Sequence, residues 1–258
     1  MAARTAAFQH RPLLWWSLAA AACLALPAAG ELPRGIPQEH VWTEFAQCKQ
    51  FFPAGLPPVV PKAPLLRELC FDGFAVLHSG QTKTPVFVAE HLDRFILQQA
   101  ARVRRSDHFY PEARLPSQER ADLADYRHSG YSLGHMAPAG DMGTALAKAQ
   151  SFSLANMAPQ DVELNNGAWN DIEQDTRKYV QRAQADVYIF TGPVYSEPAH
   201  FIGPSRVQVP QSFYKLVYDP SNGRSWAHWQ ANEPAYRVST PISYEELVRR
   251  TGIEFVPR

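Results

Sequence analysis

"HSGYSLGHMAPAGDM" (His128–Met142) is broken by glycine and proline too often to continue as a helix, and it sets His135 behind two glycines and ahead of Pro138 and Asp141. An imidazole in such a segment can serve as a general base, and it can equally be an ordinary surface histidine. Thirty residues on, "NNGAWNDIEQDTRKYVQRAQA" (residues 165–185) spaces Trp169, Ile172, Thr176, Tyr179 and Ala183 by three and four, the buried face of an amphipathic helix. Asn165 stands at the head of that helix, and Glu173 follows eight residues later, a little over two turns, so the two fall roughly on one side. An amide oxygen and a carboxylate so arranged can hold or orient hydrated magnesium, which takes oxygen ligands and keeps several waters. Arg177, one turn beyond Glu173, can pair with the carboxylate or reach a phosphate. The same residues also read as a helix cap and a solvated ion pair.

Around this centre the chain reads as one mixed α+β domain. "FAVLHS" (Phe74–Ser79) and "TPVFVAEHL" (Thr84–Leu92), split by "GQTK", predict a β-hairpin. Further strand-like runs are "SFSLANM" (Ser151–Met157), "DVYIFTGPVY" (Asp186–Tyr195), "QSFYKLVYD" (Gln211–Asp219) and "SWAHWQAN" (Ser225–Asn232), several rich in valine, tyrosine and phenylalanine. Near the end, "SYEELVRRTGIEF" opens with Ser243 and Glu246 in capping-box relation and closes at Gly252.

The first thirty residues stand apart. Arg4 and Arg11 precede the apolar run "PLLWWSLAAAACLALP", and small residues at Ala28–Gly30 offer a cleavage site, the pattern of a secretory signal peptide, with an uncleaved membrane anchor as the alternative. Residues 31–70 then form an N-terminal extension and residues 71–258 the main domain. Cleavage predicts a periplasmic or secreted protein with no stable membrane association. Cys48 and Cys70 remain, and an oxidising compartment favours an intrachain disulfide contributing roughly 3 kcal/mol; a cysteine metal pair is the other reading, although neither belongs to a CxxC. The full chain has 25 basic and 25 acidic residues, so losing the two leader arginines leaves it close to neutral, without the basic excess of a tight nucleic-acid binder.

No HExxH, paired CxxC, GxSxG elbow with a clear triad, or P-loop is present. Instead "YRHSGYSLGHMAPAGDM", "SLANMAPQDVELNNGAWNDIE", "TGPVY", "VPQSFYKLVYD" and the closing "GIEFVP" occur in order. Together they closely resemble the DNA/RNA non-specific endonuclease family, the ββα-metal or His-Me finger nucleases, endonuclease G-like enzymes among them, over roughly Phe71–Pro257. The resemblance implies a ββα-metal fold with a central antiparallel sheet flanked by helices. It also implies Mg²⁺-dependent hydrolysis of DNA and RNA phosphodiesters, with Mn²⁺ as a substitute, leaving 5′-phosphate ends. Residue by residue it places the general base on His135, the metal-binding asparagine on Asn165, a supporting glutamate on Glu173 and a phosphate-facing arginine on Arg177. A further arginine is expected in "RRSDHF", at Arg105 or the equally placed Arg104.

The family's signature reads Asp-Arg-Gly-His where this chain has Ser132, Leu133, Gly134 and His135. Loss of that arginine would cost ~2–4 kcal/mol of transition-state stabilisation. Arg177, Arg105 and Arg127 are the candidates to compensate, and an attenuated protein that binds nucleic acid or a protein partner is the alternative. "RVRR" (Arg102–Arg105) and Arg177 with Lys178 are candidate phosphate contacts or solvated faces; Trp226 and Trp229 are candidate stacking residues or core. A histidine with its ordinary pKa near 6.5 would make activity fall below that pH.

Overall fold

The computed structural model describes residues 39–105 and 107–257; the expected leader lies outside the described residues. In chain order the elements are β1 (His40–Trp42), β2 (Val59–Pro61), β3 (Leu66–Cys70), β4 (Ala75–Ser79), β5 (Thr84–Leu92), α1 (Arg94–Ala100), α2 (Leu123–Tyr126), β6 (Tyr131–His135) and α3 (Ala145–Gln150). They continue with β7 (Met157–Asp161), α4 (Val162–Asn166), α5 (Ala168–Arg182), β8 (Val187–Val194), β9 (His200–Ile202), β10 (Val207–Val209), β11 (Ser212–Asp219), β12 (Arg224–Ala231) and α6 (Tyr244–Thr251).

A six-stranded sheet in the order β12-β11-β8-β5-β4-β3 is antiparallel throughout. Both its faces are covered, and alternation along each strand divides the side chains between two layers. Val76, Val88 and Phe213 point to one side, where they meet Trp169, Ile172 and Leu164 of the α4–α5 region and Met136, Ala137 and Ala158 beside the β6–β7 pair. Leu77, Phe87, Phe190, Tyr214 and Leu216 point to the other, against Phe45, Phe52 and Val60 of the N-terminal segment and Leu247 and Phe255 at the C-terminal end. The N- and C-terminal segments meet where Val59 bridges Glu254.

The predicted hairpin is β4–β5, and the runs at 186–195, 211–219 and 225–232 are β8, β11 and β12. Cys48 and Cys70 form a disulfide, with Cα atoms 5.7 Å apart, tying the N-terminal segment to the end of β3. Ser243 Oγ caps α6 by accepting from the Glu246 amide at 3.2 Å. Glu246 turns its carboxylate to Arg249 and Arg250 instead of completing a capping box. Among the described residues no helix is long and apolar enough to cross a membrane.

Three expectations change. "SFSLANM" is not a strand until Met157: Leu154–Asn156 is a 3-10 turn, closed by the Asn156 amide donating to the Ser153 carbonyl and capped by Ser153 Oγ, which accepts from the Ala155 amide. His135 ends a strand rather than sitting in an irregular loop, since β6 pairs with β7 in register from Tyr131↔Asp161 to His135↔Met157. The helix expected over 165–185 is two helices meeting at Gly167, whose added Cβ would lie 2.7 Å from the Glu163 carbonyl and 2.8 Å from that of Ala235. Gly167 therefore turns α5 away from α4 at a point where a side chain does not fit.

Candidate active site

β6, β7, α4 and α5 form a strand–strand–helix unit on the sheet, and a polar cavity of about 350 Å³ opens beside it. His135, Asn165, Glu173 and Arg177 all line this cavity, as does Arg105. The choice between adjacent arginines thus falls on Arg105: neither Arg104 nor the exposed Arg127 is among the lining residues. Of the other proposed contacts, Lys178 pairs with Asp175 at 2.9 Å and faces a separate groove with Trp226. Trp226 packs edge-on against Tyr179, and Trp229 lies under the Arg250 guanidinium, so both are engaged within the fold.

His135 is held by packing. Its ring stands edge-on to Phe152, centroids 5.1 Å apart, and tilted against Phe109 at 5.7 Å. Nε2 is buried without a hydrogen-bond partner among the described residues. The strand that carries it lies close to β7 because Gly134 has no side chain: a Cβ there would fall 2.4 Å from Gln160 Oε1. Beyond the histidine, buried Asn156 accepts from the Ala137 amide at 2.9 Å and donates to the Ala137 and Ser151 carbonyls. Asn156 was not anticipated as a site residue; its burial and its staple across 19 residues are tertiary facts with no local motif.

On the facing wall, Asn232 fixes the junction that carries Asn165. Its Oδ1 accepts from the Asp161 amide at 2.7 Å, and its Nδ2 donates to the carbonyls of Pro159 and Pro210. Asp161 then caps α4 through the amides of Glu163 and Leu164. Asn166 and Asn170 join Asn165 in lining the cavity. Asn170 was also missed, although its offsets of three and seven from Glu173 and Arg177 were readable as one helix face. Arg177 Nη1 donates to Asp141 Oδ1 at 2.9 Å, while Glu173, the partner expected from the i,i+4 spacing, stays 4.0 Å away.

Burial sets the electrostatics. Desolvation, aided by Arg105 and opposed by Asp107, drives the His135 pKa down to about 3. Glu173 moves the other way, raised to about 7 mainly by burial, with Lys215 and Arg177 opposing and Asp141 reinforcing. Deeper in the sheet, wholly buried Glu90 is pushed well above the ordinary carboxyl range, first by desolvation and then by Asp141. Buried Lys215 donates to Thr191 Oγ1 at 2.7 Å.

These values correct the expectation of a histidine titrating near 6.5. In the free protein an NMR titration is expected to show His135 neutral from pH 8 down to 4.5, with a carboxyl transition near pH 7 that disappears in Glu173→Gln. The sign for stability follows from linkage. The folded His135 binds its proton less readily than the unfolded one, so stability is lost as pH falls from about 6.5 towards about 3.

The donor set accommodates a hydrated hard cation. The carboxamides of Asn165, Asn166 and Asn170, which make no hydrogen bonds among the described residues, and the carboxyl of Glu173 supply oxygen, and among the described residues no group of three or more His, Cys, Asp or Glu side chains is placed to bind a metal. Such a site suits an ion that keeps much of its water shell, as magnesium does, and not one needing several thiolate or imidazole ligands.

A neutral imidazole at a strand end, asparagine side chains on the following helices and two guanidiniums meet in one cavity on an α+β fold of the ββα-metal class. The chain belongs to the DNA/RNA non-specific endonuclease family, whose model matches residues 59–258. It is 30% identical over 208 residues to Nuclease EXOG, mitochondrial, of Xenopus laevis, covering 71% of this chain and 56% of that protein. It is 32% identical over 197 residues to Nuclease C1 of Cunninghamella echinulata var. echinulata, covering 71% and 77%. With human Endonuclease G, mitochondrial, the figures are 30% over 206 residues, covering 72% and 68%. The matches span about half the length of the EXOG nucleases of Xenopus laevis, Danio rerio and Homo sapiens: 56, 47 and 43%. The fold is similar to a chain in the solved "Crystal structure of the EndoG/EndoGI complex: Mechanism of EndoG inhibition", with TM-score 0.69, 25% identity and coverage of 83% of this chain and 91% of that one.

Proposed function

We propose that this protein is a magnesium-dependent endonuclease that hydrolyses DNA and RNA without sequence specificity and leaves 5′-phosphate ends. The convergence of His135, Asn165, Glu173, Arg177 and Arg105 on one polar cavity carries the reading. Neutral His135 takes a proton from water as the water oxygen bonds to phosphorus in line; the P–O3′ bond breaks, and the departing 3′ oxygen takes a proton from solvent. Arg105 and Arg177 face non-bridging phosphate oxygens, contacts that carry no base information and so give no sequence preference. Asn165, with Asn170 and Glu173 lining the same cavity, would hold the divalent cation. When bound, that cation supplies positive charge for the leaving oxygen.

The direct test is degradation of plasmid DNA and of a folded RNA with magnesium and with EDTA. Activity in both nucleic acids that EDTA abolishes, with fragments that ligate without prior phosphorylation, is the expected result. EDTA-insensitive cutting, or fragments that need a kinase before ligation, contradicts the proposal. Export to the periplasm or medium is part of the same reading, supported by the leader pattern in residues 1–30 and by the Cys48–Cys70 disulfide. Recovery of a mature chain lacking the first thirty residues is expected from N-terminal sequencing.

A second reading, a weakened nuclease that chiefly binds, rests on position 133. Leu133 shares a strand face with Tyr131 and His135, and packs towards Met157, Ile202 and Val207. With Arg105 and Arg177 already in the cavity, Ser132→Asp with Leu133→Arg is expected to raise kcat/KM by less than about tenfold. A gain of about a hundredfold or more would favour the weakened reading.

A further inference from the structure

Building on the phosphodiester reading of the cavity, we infer that Asp141 is a positioning residue: it sets the Arg177 guanidinium against the substrate phosphate and latches the histidine segment to α5. Asp141 follows His135 by six residues, at the end of a 3-10 turn, Ala139–Asp141, closed by its own amide donating to the Pro138 carbonyl at 3.0 Å. Its side chain is 3% exposed, and Oδ1 receives Arg177 Nη1 at 2.9 Å. Arg177 is 22% exposed on the cavity side, and the other nearby carboxylate, Glu173, stands beyond hydrogen-bond range at 4.0 Å. One hydrogen bond to a buried acid thus decides where this guanidinium points.

The two cavity arginines are held differently. Arg105 is 62% exposed and pairs with Asp107, itself 65% exposed, so water competes for it. Arg177 is fixed before any substrate arrives. A flexible arginine must give up rotamer freedom when it binds phosphate; one already pinned loses less, and the saving appears as tighter binding. The pair also ties together two segments that border the cavity. One partner belongs to the segment leaving β6 and the other to the helix carrying Glu173, so the same contact fixes the span between the imidazole wall and the helix wall.

The test compares Asp141→Ala, Asp141→Asn, Asp141→Glu, Arg177→Ala and the double alanine variant of the full chain. Binding of a fluorescent single-stranded oligonucleotide in EDTA, steady-state cleavage in magnesium, and arginine side-chain ¹⁵N NMR without nucleic acid are the readouts. Asp141→Ala is expected to weaken binding and raise KM about tenfold, the loss of one charge-assisted hydrogen bond, with a smaller change in kcat. The double variant is expected to match Arg177→Ala within about twofold, since Asp141 acts only through that side chain. Asp141→Asn keeps an acceptor oxygen and should recover most of the loss. Asp141→Glu keeps the charge but moves it, and should raise KM like the alanine change; it decides the matter if Asp141→Ala does not fold. The Arg177 Nη signals should be resolved in the wild type and averaged in Asp141→Ala. Wild-type binding and KM in both Asp141→Ala and Asp141→Glu, losses that multiply in the double variant, or unchanged Arg177 signals overturn the inference. A wild type that neither binds nor cuts nucleic acid sinks the functional reading, while the NMR comparison still decides whether Asp141 orients Arg177.

Discussion

His135→Ala is expected to lower the single-turnover rate of phosphodiester cleavage about a thousandfold at pH 7.5, in the middle of the range that positioned general bases contribute, with little change in KM. The ring is wedged between Phe109 and Phe152, so truncation leaves a hole the size of an imidazole rather than a collapsed strand. Added imidazole is therefore expected to restore part of the rate. A pKa of about 3 in the free protein would make a poor base, and the cause of that value explains how the site works. Desolvation and Arg105 depress it; under the proposed function a bound phosphodiester would bring an anion into the same cavity and compete for Arg105. Under the proposed function, substrate is therefore expected to stabilise the imidazolium when the proton has to be received. An NMR titration with a non-cleavable oligonucleotide bound should find the His135 pKa raised. Cleavage by His135→Ala within tenfold of wild type would remove the histidine from the mechanism.

Legibility in the sequence followed the range of the forces involved. Five of the six sheet strands could be read because alternation and β-branched or aromatic side chains are local signals, and β4, β5, β8, β11 and β12 stand where those signals lie, whereas β3 was not expected. The candidate site residues were legible through motif resemblance, and His135, Asn165, Glu173 and Arg177 do meet in one cavity. Less accessible was everything set by contacts distant in sequence. The break at Gly167 depends on the Ala235 carbonyl, 68 positions further along the chain, against which no side chain fits. Asp141, not Glu173, holds Arg177, because the turn after β6 brings a buried carboxylate to the helix, whereas the i,i+4 spacing only brings Glu173 near. The histidine's displaced pKa is likewise a property of burial, which no spacing of residues encodes.

Asn165→Ala should cost at least about a hundredfold in rate at limiting magnesium and raise the magnesium concentration needed for half-maximal activity, since a directly ligating group contributes at least as much as the outer partners that tune metal sites. The backbone around it gives the variant a good prospect of folding intact. Asp161 caps α4, Asn232 ties the β7–α4 junction, and the Ala168 amide donates to Ala235, none of them through the Asn165 side chain. Asn165→Asp makes the sharper comparison. A carboxylate holds a divalent cation more tightly, so the magnesium requirement should fall, yet it also neutralises part of the charge that the leaving oxygen needs, so kcat should fall as well. That opposite movement of metal affinity and rate is hard to obtain from a residue that only supports the fold. If both variants keep the wild-type magnesium dependence and rate, the cation is held elsewhere in the cavity, and Asn170 with Glu173, one turn further along α5, become the next candidates to test.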